Sequence, residues 1–515
     1  LTYFSHIFTI ETNLLQRAMG DVEVSERRRI ERSFSSFKII PIKDDNDTLH
    51  SEGTDFSPVD DGVVVDEKKD TDVVKEIDSL LPITESTKGN AYTAAFHLLS
   101  SSIGTPALVL PFAFTSLGWS WGIVVLTLIF AWRLYTMWLL VHLHETVNGT
   151  RYSRYLQLAI VAFGEKLGKC LSIFPTMYLS GGTCVMSIIA GGRTLQVFYN
   201  TICENDQHCL HKSLSGAQWF LVFVCLAILI AQFFPNLNSL AWVSFLGSIL
   251  GVTYFTMLWA LSIAKGRPNG VTYNPSDNVT TTMAQFRAVL NGVAIVAIAF
   301  RGHNLVLEIQ GTLPTNPKHP TKTRMWRGVI ASYSFVAICV FPLAIGGYWA
   351  YGNMMPANGI MGAIAKYHQE STPKWLIGTI YMMAVIQCLC SFQIYAMPVL
   401  DNLERIYVSR HLKVCPRWVR SFIKLFFGGL TYFISVAFPF LGSLAAFVGG
   451  ISLPFSLVYP CFMWISIKKP QRNSLMYCLN MFLGCLGILI SVVQVAGALW
   501  SLVVDKLDAN FFNPW

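Results

Sequence analysis

Charge is what this sequence has least of: across 515 residues, 13% are Asp, Glu, Lys or Arg, against 53% hydrophobic. A chain so poor in charge is not a water-soluble domain, because its apolar residues gather in blocks of about 20 or more, the length that spans a hydrocarbon core. A disulfide framework is also missing. Most of the twelve cysteines lie inside apolar blocks, where they behave as small hydrophobes, and no CxxC pair occurs. Closely spaced His and Glu sets are lacking too. The eleven histidines are scattered, with His142-Leu143-His144-Glu145 the only cluster, which argues against a membrane-embedded metalloenzyme and leaves no metal or cofactor to expect. The N-terminus has neither a basic n-region nor a clean apolar core, since Glu11 interrupts it, so no signal peptide is read there. The net charge of +8 does not point to nucleic acid. Residues 1–90 hold 11 Lys and Arg against 19 Asp and Glu and the remainder 27 against 11, an acidic tail ahead of a basic membrane body.

The expected architecture is an all-α polytopic membrane protein of two parts, a disordered acidic cytosolic tail over 1–88 and a transmembrane domain over 89–515. Leu1 to Ala18 precede the first methionine, Met19, and are expected to be an untranslated upstream extension. Gly20 follows Met19, but Val24 stands where a myristoylation signal needs Ser or Thr. Onward to Leu80 the composition is acidic and aromatic-poor, with Arg27-Arg28-Arg29 and Arg32 beside Ser33, Ser35 and Ser36, a solvated charge run next to candidate phosphorylation sites. Spanning segments are expected near 91–116, 119–141, 170–198, 217–234, 239–263, 285–313, 328–350, 375–400, 421–438, 441–465 and 475–502, eleven helices in all. With the tail inside, the inner loops carry 17 Lys and Arg against six on the outer side, which places the N-terminus in the cytosol and the C-terminus outside.

Eleven helices fit a five-plus-five inverted repeat with one helix appended, provided that the first helix of each half is broken. Helix 1 reads Ser100-Ser101-Ser102-Ile103-Gly104-Thr105-Pro106, where Pro106 removes a backbone donor and Gly104 relaxes the chain before it. Helix 6 reads Phe300-Arg301-Gly302-His303-Asn304-Leu305-Val306-Leu307-Glu308-Ile309-Gln310, with ionisable groups that cost roughly 2.5–3.5 kcal/mol each at membrane centre. The bland alternative is a structural ion pair between Arg301 and Glu308. Two broken helices at corresponding positions instead mark a midplane site, where half-helix N-termini face a carboxylate and freed carbonyls face an ammonium or cation. The expected substrate-binding residues are Ser102, Ile103, Gly104, Thr105, Phe300, Arg301, Gly302, His303 and Asn304.

From about Lys88 to the C-terminus the chain resembles the lysine/histidine-transporter-like branch of the plant amino acid/auxin permease family. The likeness rests on Leu110-Pro111-Phe112-Ala113 with Leu117-Gly118-Trp119, Arg151-Tyr152 with Arg154-Tyr155, Gly164-Glu165-Lys166-Leu167-Gly168, Pro235-Asn236-Leu237-Asn238-Ser239, Gly302-His303-Asn304 with Leu307-Glu308-Ile309-Gln310, Met325-Trp326-Arg327-Gly328 and Gln393-Ile394-Tyr395-Ala396-Met397-Pro398. The resemblance implies eleven helices in the broken-helix, inverted-repeat fold, and import of amino acids with protons. Two positions depart from the family. Pro106 replaces the second glycine of a Gly-x-Gly turn, and Arg301 stands where a small residue is usual. An extra guanidinium at the site disfavours cationic substrates, so neutral or acidic amino acids are expected.

Proton coupling is assigned to Glu308, with His303 as the rival carrier and movement of Arg301 relative to Glu308 as the gate. Glu145, with His142 and His144, reads as an interface or gate contact, and His97, one turn from the first break, as a lower-ranked candidate. Alternatives in other classes are a carrier of auxin or another indole acid and a non-transporting amino acid sensor. The expected partners are an amino acid, protons and the bilayer of the plasma membrane, around a monomer. Cys203 and Cys209 flank a polar loop and suit a local disulfide, with a metal site at His208 and His211 the alternative. Of the sequons at Asn46, Asn148 and Asn278, only Asn278 falls outside in this topology. Glycosidase mapping should therefore find sugar on Asn278 alone, and sugar on Asn148 would overturn the helix count.

Overall fold

The computed structural model describes residues 77–145, 150–203, 214–273, 282–315, 320–440, 445–504, 511, 512 and 514. Among these the regular structure is helical, apart from one isolated bridge between Glu145 and Arg151. The helices are α1 (Ala91–Ser102), α2 (Leu110–Leu143), α3 (Tyr155–Phe163), α4 (Glu165–Cys203), α5 (Gly216–Phe233), α6 (Ala241–Lys265), α7 (Thr282–Ala299), α8 (Val306–Gly311), α9 (Thr321–Tyr351), α10 (Gly359–Tyr367), α11 (Lys374–His411), α12 (Arg417–Ala437), α13 (Ala445–Leu453), α14 (Tyr459–Lys468) and α15 (Leu475–Val504).

Local chemistry sets where α1 begins and ends. Asn90 and Thr93 form a reciprocal capping box, with the Thr93 N–H donating to Asn90 Oδ1 at 2.9 Å and the Asn90 N–H to Thr93 Oγ1 at 2.8 Å. The helix stops at Ile103, Gly104 is extended, and a short 3-10 turn over Thr105–Val109 leads into α2. Within α2, Gly118 has φ 69° and ψ −176°, a left-handed value that a side chain disfavours although an added Cβ would meet nothing there. Ten helical stretches among the described residues are long and apolar enough to cross a membrane. The first, Thr105–Leu143, has 39 residues and would be roughly 58 Å long if straight, nearly twice a hydrocarbon core. It turns at Gly118 instead.

Packing repeats between the halves of the bundle. α1 lies against α9 as α7 lies against α2, while the two long helices α4 and α11 run along one another. Three features differ from the sequence expectation. α3 and α10 occupy stretches read as loops, because nine residues are too short for a span. α11 continues to His411, past the apolar run that ends near residue 400, and there the buried Asp401 and Glu404, with Arg405, join an ion network. A π-helical turn over Pro454–Val458 separates α13 from α14.

That network also revises the boundary of the tail. Residues 1–76 lie outside the described residues, but 77–88, assigned to the tail on composition, pack against the body. Ile77 and Leu81 contact Val408. Asp78 pairs with Arg154 at 3.0 Å and Arg405 at 2.8 Å, Arg154 pairs with Asp401 at 2.6 Å, and the Ile83 N–H donates to Asp401 at 3.2 Å. Burial alone would depress the Arg154 pKa, but the Asp401 and Asp78 carboxylates hold it above its ordinary value. Breaking a buried pair by removing one partner costs about 3–5 kcal/mol. Arg154→Met should accordingly lower the melting temperature markedly, and adding Asp401→Asn should recover part of the loss. A variant as stable as wild type would show that the network does not hold segment 77–88 in place.

Candidate functional site

The break after α1 strands carbonyls that a continuous helix would have satisfied, and side chains of α11 answer them. Gln387, Ser391 and Tyr395 lie four residues apart on one face. Gln387 Nε2 donates to the Ser100 carbonyl at 3.2 Å and the Ile103 carbonyl at 2.5 Å, Ser391 Oγ to the Ser100 carbonyl at 2.9 Å, and the Tyr395 hydroxyl to the Ser101 carbonyl at 2.9 Å. All three side chains are buried. The break after α7 is answered differently. Arg133, on α2 and 4% exposed, donates from Nη2 to the Ala297 carbonyl at 2.8 Å, which puts a cation at the negative end of that half-helix. Sequence reasoning missed these residues, although a lone Arg in an apolar span and polar residues at i, i+4 and i+8 were visible signals.

The two breaks meet. Ser102 Oγ donates to the Arg301 carbonyl at 3.2 Å. Gly302, at φ 99°, is left-handed, and an added Cβ would come within 3.1 Å of Ser102 Oγ and 3.2 Å of Ser101 Oγ. A Cβ on Gly104 would overlap Arg301 Nη2. The Arg301 guanidinium therefore rests on the extended residue that opens helix 1, with its Cζ 5.4 Å from the centre of the Tyr395 ring. It forms no ion pair among the described residues, and its Nε has no hydrogen-bond partner. The bland alternative, a structural ion pair of Arg301 with Glu308, is therefore not formed. The left-handed residue Gly302 separates them, and Glu308 faces α3 instead, where Oε1 accepts the Tyr155 N–H at 3.2 Å while Oε2 has no donor.

Phe300, His303 and Asn304 have partners of their own away from the meeting point. Phe300 packs edge-on against Phe130 with centroids 5.6 Å apart. His303 Nε2 lies 3.0 Å from the Arg133 carbonyl and 3.1 Å from Thr136 Oγ1, and Nδ1 lies 3.5 Å from Arg133 Nη1. The carbonyl requires the proton on Nε2, which leaves Nδ1 as the atom facing the guanidinium. Asn304 donates to Ser180 at 2.9 Å. Ile103 is buried and Thr105 half-buried at the start of the 3-10 turn. His97 lies 2.6 Å from Ser244 Oγ. Glu145 accepts the Thr321 N–H at 3.1 Å at the start of α9 and lies 3.8 Å from Arg151, so it caps a helix. At the nearby end of α2, His144 has its pKa pushed well below the ordinary value by burial and by Arg151. Cys203 is disulfide-bonded, whereas Cys209, His208, His211 and Asn278 lie outside the described residues. No group of three or more His, Cys, Asp or Glu among the described residues could hold a metal ion.

Two interrupted helices with their breaks in contact inside a helical bundle define a class, the transporter bundles whose site lies at the breaks. Solved structures agree on the fold. MHP1, a nucleobase-cation-symport-1 family transporter in a closed conformation with bromovinylhydantoin bound, superposes with a TM-score of 0.53 at 10% identity, covering 82% of this chain and 95% of that one. MhsT in complex with L-phenylalanine gives 0.51 at 9%, covering 80% and 99%. A profile described as transmembrane amino acid transporter protein matches residues 87–503. Among relatives from Arabidopsis thaliana, lysine histidine transporter-like 8 is 48% identical over 85% of this chain and 83% of its own, and lysine histidine transporter-like 7 is 45% identical over 85% and 90%. The chain belongs to the transmembrane amino acid transporter protein family, in the lysine histidine transporter-like group, and is a transporter, not an enzyme.

Contact between Arg301 and Gly104 makes a steric prediction. The atoms that an added Cβ would meet belong to the far end of a flexible side chain, which can shift, so the cost falls below the roughly 1–3 kcal/mol of overpacking a rigid site. Gly104→Ala should lower the melting temperature of the purified protein only slightly, and Arg301→Ala in the same chain should remove that loss; a large loss, or one that Arg301→Ala leaves in place, would show that the guanidinium rests elsewhere.

Proposed function

We propose that the chain imports neutral or acidic amino acids into the cytosol together with protons, as a monomer in the plasma membrane. The reading takes α1 with the first part of α2 as one crossing and the remainder of α2, beyond Gly118, as the next, which raises ten candidate spans to eleven. They form a five-plus-five inverted repeat with one helix appended, the N-terminus inside and the C-terminus outside. The exchange of packing partners between the halves supports this count.

One observation carries the substrate reading: Arg301 is an unpaired cation beside the N-terminus of the half-helix that starts at Thr105, so two positive ends converge on one place. A carboxylate between them satisfies both. The substrate ammonium then takes the Ser102 carbonyl, whose helical donor would have been the nitrogen of Pro106. Relatives' names carry lysine and histidine, but a second cation on the substrate is repelled here. Two unit charges about 8 Å apart at an effective dielectric near 20 interact by roughly 2 kcal/mol, on the order of thirtyfold in affinity.

Glu308 is the proton carrier in this reading. It is 2% exposed, one carboxylate oxygen has no donor, and the other accepts the first N–H of α3 beside Arg154. Movement of α3 relative to α8 would change that contact, so the gate is Arg154 and α3 rather than Arg301. His303 suits the role less, because a second proton on Nδ1 would meet the Arg133 guanidinium.

Uptake by reconstituted vesicles, measured for alanine, glutamate, lysine and indole-3-acetic acid at two external pH values, tests the whole. Wild type should take up alanine and glutamate faster at the lower outside pH. Glu308→Gln should lose the pH-gradient drive yet keep counterflow exchange, and Arg301→Ala should raise the lysine-to-alanine ratio. Unchanged pH dependence in Glu308→Gln, or an unchanged ratio in Arg301→Ala, would contradict the corresponding assignment. Uptake of indole-3-acetic acid alone would favour an indole-acid carrier, and no flux at all a sensor.

A further inference from the structure

Carbonyls released by an interrupted helix are the groups with which broken-helix transporters hold a coupling cation. In this chain the carbonyls of Ser100, in the last turn of helix 1, and Ile103, the extended residue just past its end, converge with Ser391 Oγ on one point, and the amide of Gln387 occupies that point. Its Nε2 lies 3.2 Å from the Ser100 carbonyl, 2.5 Å from the Ile103 carbonyl and 3.1 Å from Ser391 Oγ. Three oxygens around one atom fix the orientation of the amide: only the NH2 end can face two carbonyls, so the donor end is inward. We propose that Gln387 is a built-in substitute for a monovalent cation, and that it excludes Na+ from the place where the break would otherwise bind it.

The side chain bears the mark of a residue kept for this contact. Gln387 is 1% exposed, and its Oε1 is buried without a hydrogen-bond partner. An unsatisfied buried acceptor costs about 1–3 kcal/mol, which an apolar residue of similar size would avoid. The oxygens around the Nε2 atom are hard, neutral donors of the kind that suit an alkali cation, and a neutral NH2 group supplies two of the positive hydrogens that such an ion would replace. With the amide at this point, the break has no room there for an ion. Coupling must then use another group, in keeping with the proton reading above, on which the inference rests only in taking the chain as a transporter.

Thermal stability of the purified, detergent-solubilised full chain tests this without any transport assay, so failure here is distinguishable from failure of proton coupling. Melting is measured in NaCl and in choline chloride at equal ionic strength, from 1 to 300 mM on the order of the usual salt range. Wild type should melt at the same temperature in both salts. Gln387→Ala, which vacates the point and leaves its three oxygens, should melt lower in choline and recover with Na+ saturably, by roughly 1–1.5 °C at ten times Kd. Gln387→Glu keeps the size and sets a carboxylate against the same carbonyls, so it should depend on Na+ still more strongly. Saturable stabilisation of wild type by Na+ over choline would overturn the proposal. So would two folded variants that are indifferent to Na+.

Discussion

In hydrocarbon every backbone N–H and C=O must find a partner within the protein, because water is absent and each unsatisfied group costs several kcal/mol. That constraint governs this chain more than any single residue does. Two of its helices are interrupted within apolar stretches, and the rest of the bundle is arranged to meet the groups thereby released. α11 brings an amide, a hydroxyl and a phenol to the carbonyls of helix 1. α2 brings a guanidinium to the end of α7. The helices that pack across the breaks are thus also their caps, which ties the position of the site to the packing of the whole.

The division of positive charge follows from the same arrangement. Arg133 is consumed by structure: it ends α7 and fixes the tautomer of His303. Arg154 and Arg420 are consumed by carboxylates at one end of the bundle, where Asp78, Asp401, Glu404 and Glu85 surround them. Arg301 alone among these has its head group set on glycine backbone with no acid beside it. A half-buried charge with no acid beside it is free to meet an anion that enters, which suits a protein that must bind one.

Residue type and spacing alone make much of this legible. The interruptions at Gly104 and Gly302, the membrane class and the family motifs are written there, because proline, glycine and charge in apolar segments have few other meanings. Partners are not legible in the same way. Arg301 and Glu308 are seven residues apart and read as a pair, but the left-handed residue between them sends one toward helix 1 and the other toward α3. Gln387, Ser391 and Tyr395 lie some 290 residues from the carbonyls they cap, so no local pattern reveals the contact. The tail boundary is misplaced on composition for a related reason: Asp78 and Glu85 look like solvated acids until Arg154, Arg405 and Arg420 are seen to face them.

The proposed substrate reading turns on the Arg301 guanidinium as the receptor for a carboxylate. Alanine and alaninamide have the same shape and the same ammonium, and they differ only in that carboxylate. Titration calorimetry of the purified chain with each compares them directly. A carboxylate receptor at Arg301 predicts measurable binding of alanine and at least tenfold weaker binding of alaninamide, about 1.4 kcal/mol. Equal affinity for the two would contradict it.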